Sequence, residues 1–156
     1  MGLDMYLYRK TYVKNWDYMD DGKKWAVTVS RGGEQIPVAQ VDPARIVYVT
    51  EEVAYWRKAN QVHAWFVREV QGGEDQCEPH YVEQGQLAEL VSLCRQVLAD
   101  HSLAGELLPA QSGFFFGGTD YDEYYFGDLE ETVRMLEPLL TDEARSLGEF
   151  EYRSSW

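Results

Sequence analysis

Strand-like patterns occupy both ends of the chain, and a helix-like pattern lies between them. Residues 3–8 are aromatic and apolar, and residues 150–153 alternate as half-buried strands do. Residues 87–98 repeat apolar side chains every three or four positions, which predicts an amphipathic helix. Strands first, helices later and a strand last indicate an α+β fold rather than a regular βαβ repeat. We expect an antiparallel or mixed sheet packed against about three helices.

Turn and cap residues predict the remaining elements. A helix is expected from Thr50, a suitable N-cap, to about Gln71, where Gly72-Gly73 would stop it. A third helix would start at the capping-box-like Asp128 and be kinked or ended by Pro138. The other expected strands, the first two joined by a turn at Gly32-Gly33, are 25–30, 36–41, 45–49, 81–82 and 112–118.

The length and composition predict one compact domain, residues 1–156. The hydrophobic fraction of 45% is ample for a core. No segment approaches the ~20 apolar residues that cross a bilayer, and the first residues lack a signal-peptide pattern. Cys77 and Cys94 have neither metal-ligand spacing nor the number that a disulfide framework needs. A cytoplasmic location without membrane association is therefore expected.

The net charge of −13 is distributed unevenly along the chain. Residues 1–68 carry ten bases and eight acids, whereas residues 69–133 carry Arg95 and fourteen acids. Nucleic-acid binders present a basic face, so direct binding to DNA or RNA is not expected. The acidic stretch permits a host protein with a basic surface as partner, while acidity that only confers solubility is the alternative.

The expected helix of residues 50–71 carries the first candidate site. At 100° per residue, His63 lies near the centre of its apolar face and Asn60 near the edge. An unpaired buried histidine costs about 1–3 kcal/mol, so we expect a partner such as a carboxylate, a tyrosine or a backbone group. In the alternative, Asn60 and His63 form a pocket floor, with Arg57 and Lys58 at its rim and imidazole available as a base.

The segment 117–123 carries the second candidate site, with Asp120, Asp122 and Glu123 close together. Clustered carboxylates suit a hard cation, but the EF-hand spacing is absent. A phosphate site at the double glycine is disfavoured by the three acids. We therefore expect a capped turn, no metal and no cofactor, with Asp120 and Asp122 as ligand contacts only if a pocket forms.

Aromatic side chains beside these acids also suit a protein interface, since tyrosine supplies large contact area with few rotatable bonds. Packing of the same side chains on the sheet is the alternative. The candidate interaction surface consists of Tyr121, Asp122, Glu123, Tyr124, Glu130 and Glu131.

Several motifs together resemble a family of small uncharacterised proteins of bacteriophages, prophages and mobile elements. They are MGLDMYL at residues 1–7, YWRKANQVHAWFV at 55–67, LLP at 107–109, SGFFFG at 112–117, TDYDEYY at 119–125 and YRSSW at 152–156. Many members of that family carry an insertion between the second helix and the LLP motif, where this chain has only residues 101–106. The resemblance implies a phage-borne accessory protein in the host cytoplasm, and no established activity.

Two classes of function remain open. The first is a non-enzymatic protein that binds a host macromolecule, for example as a counter-defence (anti-CRISPR-like) inhibitor with an acidic surface. The second is a small-ligand or nucleotide-binding protein or hydrolase, which would use Asn60 and His63 with Asp120 and Asp122. A deep pocket lined by both segments favours the second class, and a filled core favours the first. A role in phage replication or assembly is a third possibility.

Overall fold

The computed structural model describes residues 2–32, 36–113 and 116–156. The strands are β1 Asp4–Tyr12, β2 Ser30–Arg31, β3 Ile36–Pro37, β4 Tyr48–Arg57, β5 His80–Val82 and β6 Glu149–Ser155. The main sheet is antiparallel and has four strands in the order β4-β1-β6-β5. A second, two-residue pairing joins β2 to β3. The expected α+β class is confirmed.

The described α-helices lie between β4 and β6 in the sequence, the first before β5 and the others after it. They are α1 Asn60–Glu69, α2 Gln84–Ala99, α3 Ala104–Leu107, α4 Glu123–Leu136 and α5 Asp142–Leu147. Short 3₁₀ segments are Asp21–Lys23, Pro43–Arg45, His101–Leu103 and Glu137–Leu140. The last of these follows α4 directly and contains Pro138, so the expected end of the helix at the proline is confirmed.

Alternation along the strands separates an inner from an outer face of the sheet. Met5 and Leu7 of β1, with Trp56 of β4, are inner-face residues and buried. The helices cover this face: Phe66 of α1 stacks on Tyr152 of β6 with ring centroids 3.9 Å apart. Each such large apolar side chain contributes about 1.5–3 kcal/mol through burial. The core therefore lies between the sheet and the helices.

The expected helix of residues 50–71 is wrong over its first ten residues. Residues 48–57 form β4, which pairs with β1 along its whole length. Val49, Val53 and the aromatic pair Tyr55 and Trp56 suit a strand, and this cross-strand pairing outweighs the helix signal of the two glutamates. The helix begins only at Asn60, so Thr50 is a strand residue and not an N-cap.

Four other predicted elements also differ from expectation. Asp122, not Asp128, caps α4, because its Oδ1 accepts hydrogen bonds from the backbone N–H groups of Tyr124 and Tyr125 at 3.0 and 3.1 Å. The strand expected at 25–30 contributes only its last residue to β2, and that expected at 45–49 begins at Tyr48. In the strand expected at 112–118, the described residues are irregular, and Phe114 and Phe115 lie outside them, as does Gly33 of the expected turn.

None of the described helices combines the length and the apolar composition that crossing a membrane requires.

Candidate functional site

Two of the candidate segments meet in one cleft, here called the α1–α4 cleft, of about 360 Å³. Four of the five candidate ligand residues line it: Arg57, Asn60, Asp120 and Asp122. The fifth, His63, lies in a different cleft. Sequence reasoning grouped the residues at the start of α1 and before α4 in one candidate site, and the structure brings them into one cleft. It also included His63 in that site, whereas the structure places His63 in another cleft.

A tight turn from β4 into α1 builds one wall of the α1–α4 cleft. Lys58 has φ 61°, a left-handed conformation that non-glycine residues seldom adopt. Its N–H donates to the Leu3 carbonyl at 2.8 Å, and its carbonyl accepts from the Asn60 N–H at 2.8 Å. These two bonds hold the strained residue in place. The turn directs the Lys58 side chain to the cleft beside Arg57.

Gly117 lets the opposite wall approach this turn. Its φ is 93°, and a Cβ placed there would lie 3.2 Å from both the Cβ and the carbonyl oxygen of Lys58. Only glycine adopts this conformation at low cost in so small a space. The neighbouring Gly118 has open space around the same position. The close contact of the two walls thus depends on Gly117.

Asn60 fastens the loop before α4 to the start of α1. Its Nδ2 donates to the carbonyls of Phe116 at 3.1 Å and Gly118 at 2.8 Å, and its Oδ1 accepts from the Gln111 N–H at 2.8 Å. The side chain is 2% exposed. Both amide hydrogens and one acceptor site are used, so Asn60 shapes the cleft and has little capacity left for a ligand.

One carboxylate that lines the cleft, that of Asp128, is half-buried. Asp128 Oδ2 accepts a hydrogen bond of 3.1 Å from the buried Gln61 Nε2. Burial raises the pKa of Asp128, the bond from Gln61 lowers it, and the nearby Asp122 raises it further. Asp128 is therefore the acid in this cleft whose ionised form is least well stabilised.

Charges of both signs face each other across the cleft. Arg57 and Lys58 are exposed and form no ion pair with any residue that the structure describes. Asp120 and Asp122 stand on the other wall, and Asp122 uses one oxygen to cap α4. A bound anion would be attracted by the two cations and repelled by the acids, whereas a ligand with both charges would match both walls.

His63 is buried, as expected, with 1% of its surface exposed. Its Nδ1 lies 2.7 Å from the hydroxyl of Tyr152, which is fully buried. Burial raises the pKa of Tyr152 well above the ordinary value, so its phenol stays protonated, and the imidazole tautomer decides which of the two groups donates. Asp75 Oδ2 lies 3.1 Å from Nε2 but out of line for a good hydrogen bond. The tyrosine that the sequence offered as one possible partner is thus the one the histidine bonds to.

The cleft beside His63 has a volume of about 420 Å³. Its walls include Val67, Pro109 and Phe116, and the ring of Phe116 meets His63 edge-on at 5.2 Å between centroids. Asp75 at its margin also accepts a 3.2 Å hydrogen bond from Trp156 Nε1. The aromatic and acidic neighbours confine the imidazole, which is the arrangement of a paired core histidine.

The candidate interaction surface is exposed along its whole extent. Tyr124 is 76% exposed and Tyr121 46% exposed, and the four acids between and after them are exposed as well. Glu131 bonds to Arg134, which lowers the pKa of the carboxyl. Across residues 69–133, thirteen of the fourteen acids are exposed and only Asp128 is half-buried. The acidity of this stretch is therefore a property of the protein surface.

Metal-binding and thiol chemistry find little support in the part of the chain that the structure describes. It contains no group of three or more His, Cys, Asp or Glu side chains arranged to hold a metal ion. Cys94 is buried in the core, and burial raises the pKa of its thiol to about 12, so it is inert at neutral pH. Cys77 is a free, exposed thiol.

No protein-family model, no curated protein and no solved structure matches this chain. The resemblance to phage-borne proteins remains a prediction of the sequence motifs.

Sequence reasoning missed three residues that shape the candidate sites. Gln61 and Asp128 meet across 67 positions of sequence, and no local pattern links them. Asp75 lies in a loop that the sequence left without structure, yet it reaches His63. A tertiary contact between distant polar residues has no periodicity, so only the three-dimensional arrangement reveals it.

Proposed function

We propose that this chain is a non-enzymatic binding protein whose acidic surface docks on a basic surface of a host macromolecule. The observation that supports the proposal is the exposure of thirteen acids within residues 69–133, against the single base Arg95. Arg95 itself bonds to Glu137 outside that stretch, and among the described residues Arg68 and Arg134 pair with only two of these acids, Glu69 and Glu131, so most of the acids have no basic partner. Such a surface attracts a basic partner over about one Debye length, ~8 Å at physiological salt.

Tyrosines beside the acids add contact energy to this electrostatic attraction. Tyr121 and Tyr124 are exposed next to Asp122 and Glu123 at the start of α4. Buried tyrosines dominate the binding energy of many interfaces, while charges at the rim mainly raise the association rate. The candidate interaction surface therefore combines tyrosines that a partner can bury with acids that raise the association rate.

The motif resemblance supports a phage-borne accessory role in the host cytoplasm. A basic protein surface that normally holds nucleic acid would be a natural target, since its charge pattern complements an acidic protein. Occupying such a surface would make the chain a counter-defence inhibitor. The resemblance and the charge of the acidic surface together support this class of target.

The test is affinity capture from a nuclease-treated bacterial lysate with three forms of the tagged chain. The wild type is compared with Asp122→Lys/Glu130→Lys, which reverses two exposed charges of the candidate interaction surface. Circular dichroism first shows that this form is folded, because Asp122 also caps α4. The matched control is Asp20→Lys/Asp21→Lys, which reverses two exposed charges in the balanced region. We expect a basic protein that the wild type and the control retain and the reversed form loses.

Elution by salt completes the test. A partner held by steering and rim charges should leave the wild type as ionic strength rises. A partner that all three forms retain equally, or that resists salt, would contradict docking through this surface.

The α1–α4 cleft favours a second candidate function, the binding of a small charged ligand or nucleotide. Segments far apart in sequence converge there, and the strained Lys58 stands at its wall. Arg57 and Lys58, which form no ion pair among the described residues, offer contacts for a carboxylate or phosphate, and Asp120 offers one for a cationic group. The mixed charge suits a zwitterion such as a free amino acid better than a polyphosphate.

Thermal unfolding with added ligands tests this candidate. A panel of free amino acids and a nucleoside triphosphate serve as probes, because any ligand of the native state raises the unfolding temperature. A shift that Arg57→Ala removes and Arg45→Ala keeps would assign the ligand to the cleft; Arg45 is also exposed and lies outside it. No shift with any probe at millimolar concentration would count against it.

A further inference from the structure

The outer face of the main sheet carries a concentration of tyrosines. Six of the eleven tyrosines in the chain lie on it: Tyr6, Tyr8, Tyr12, Tyr48, Tyr55 and Tyr81. They occupy the strand positions that alternate with inner-face residues such as Met5 and Leu7. Since the helices pack on the inner face, the tyrosines face away from the core.

These rings form a packed layer on the sheet. Tyr6 and Tyr8 stack with centroids 5.9 Å apart and planes 6° from parallel, and Tyr6 also contacts Tyr55 at 5.3 Å. Tyr55 remains 40% exposed and Tyr81 61% exposed. Rings already fixed by their neighbours lose little conformational entropy when a second surface covers them, and tyrosine is enriched in interfaces for that reason.

The charges on this face are nearly balanced and are ordered along the strands. In the row of paired residues that contains Tyr6, β6 contributes Arg153, and in the row of Tyr8 it contributes Glu151. Asp4 and Lys10 lie one row further out at the two ends, and the same face also carries Arg57 opposite Asp4, Glu52 opposite Tyr8 and Glu149 opposite Lys10. Arg153 is exposed and forms no ion pair among the described residues. On β6, the base Arg153 and the acid Glu151 are thus two residues apart on the same face.

We propose that this outer sheet face binds a second copy of the same chain. A two-fold axis in the plane of the interface, at right angles to the strands and between the Tyr6 and Tyr8 rows, reverses the strand direction of the second copy. Arg153 then lies over Glu151 of the second copy, and Tyr6 lies over Tyr8 of the second copy. By the same operation Asp4 faces Lys10 of the second copy. Each contact occurs twice, as a two-fold interface requires.

Sheet twist limits how far this match extends. Two aligned sheets pack at about −30°, so pairs near the axis overlap best and those at the strand ends overlap less. Arg153, Glu151, Tyr6 and Tyr8 are the central set. Glu151 also accepts from Lys10 Nζ at 2.6 Å within its own chain, and the carboxylate has a second oxygen for Arg153 of the other copy.

The size of the face sets the expected strength. Strands about 4.8 Å apart with about 3.3 Å per residue give a face of roughly 400 Å² in projection for each copy. Because the tyrosine rings protrude, the accessible area that the two copies bury together is larger than the projected area. It approaches the about 1,000 Å² that a specific interface needs. We therefore expect a dimer that forms and dissociates with concentration rather than a permanent one.

A dimer through the sheet leaves the acidic surface free. Trp56 Nε1 donates to Thr132 of α4 at 2.8 Å, which fixes α4 on the inner side of the sheet. The exposed acids of α4 consequently lie on the far side of each copy, away from the shared interface. The inference is therefore independent of the proposed function, and a dimer would present two acidic surfaces pointing apart.

Sedimentation velocity of the full chain, from low micromolar to submillimolar concentration, tests the inference. We expect the wild type to shift toward twice the chain mass of 18.1 kDa as concentration rises. Arg153→Glu places like charges opposite each other and should remain monomeric. Arg153→Glu combined with Glu151→Arg exchanges the two charges and should restore the dimer. Arg134→Glu, a charge reversal on α4, is the control and should dimerise like the wild type.

Circular dichroism confirms that each variant is folded before its mass is compared. A wild type that stays monomeric throughout overturns the inference. So does a dimer that Arg153→Glu leaves intact, or a combined variant that fails to dimerise while folded. A labelled single-stranded oligonucleotide is the last probe: binding that Arg153→Glu removes would assign the face to nucleic acid and overturn the dimer as well.

Discussion

Asn60→Ala is expected to lower the free energy of unfolding by about 3 kcal/mol, because the side chain makes three hydrogen bonds at about 1 kcal/mol net each. All three reach backbone groups of the loop before α4: Gln111, Phe116 and Gly118. Alanine supplies neither donor nor acceptor, and the site is too enclosed for water to replace the amide without rearrangement.

Urea unfolding followed by far-UV circular dichroism measures this loss. For a chain of this length the same change lowers the unfolding temperature by roughly 6–12 °C. Asn15→Ala is the matched control, since the Asn15 side chain also bonds two backbone groups, both of Trp25, at 2.7 and 2.8 Å. Asn15 is exposed, so water replaces those bonds and we expect a loss below about 1 kcal/mol.

The two results together distinguish a structural asparagine from a ligand contact. If Asn60→Ala costs no more than Asn15→Ala, the three bonds do not stabilise the fold and the account of the α1–α4 cleft is wrong. A loss of about 3 kcal/mol with no change in the control supports Asn60 as the fastening of the loop.

Three further predictions follow from the same contacts. Gly117→Ala should cost at least about 1–2 kcal/mol in urea unfolding and Gly118→Ala less than about 0.5 kcal/mol, since only the first is left-handed and crowded; equal losses would contradict this. His63→Leu should cost about 1–3 kcal/mol by stranding the Tyr152 hydroxyl, and adding Tyr152→Phe should recover part of the loss in a double-mutant cycle; His63→Asp should be the more severe change, and additive losses would rule out the pairing. The folded-state pKa of Asp128 is raised, so its ionisation destabilises the fold as pH rises above the ordinary aspartate pKa; Asp128→Asn should gain stability relative to the wild type over that window, and a pH-independent difference would refute it.

The ends of the chain and α2 were predictable because their patterns are local and strong. The apolar spacing of α2, the aromatic and apolar run of β1 and the alternation of β6 each indicate one element type without competition. Local signals also located the proline that ends α4. Elements whose burial agrees with their own sequence pattern are the ones that single-sequence reasoning recovers.

The strand–helix boundary near residue 58 was not predictable from pattern alone. Residues 50–57 carry apolar side chains that fit either period, and pairing with β1 decides in favour of the strand. The turn that follows depends on a left-handed Lys58, whose type gives no signal for that conformation. The error moved the helix start by ten residues but kept Asn60 and His63 on one helix, so the candidate residues were still useful.

The separation of His63 from Asn60 likewise depends on tertiary contacts. Both residues belong to α1, three positions apart, and Phe116 of the loop before α4 contacts both, but their hydrogen-bond partners belong to different segments. Asn60 meets the loop before α4, whereas His63 meets Tyr152 of the last strand. Helical periodicity places two side chains on a face and says nothing about which distant segment packs against each.

The association rate between this chain and its captured partner, measured across a salt series, tests the central claim most directly. Docking through the acidic surface predicts a rate that falls steeply as ionic strength rises, and a slower rate for Asp122→Lys/Glu130→Lys than for Asp20→Lys/Asp21→Lys. Bare DNA or RNA in the same buffer should show no binding at physiological salt, because the chain lacks a basic face. A rate that salt and charge reversal leave unchanged, or a clear complex with bare nucleic acid, would contradict the claim.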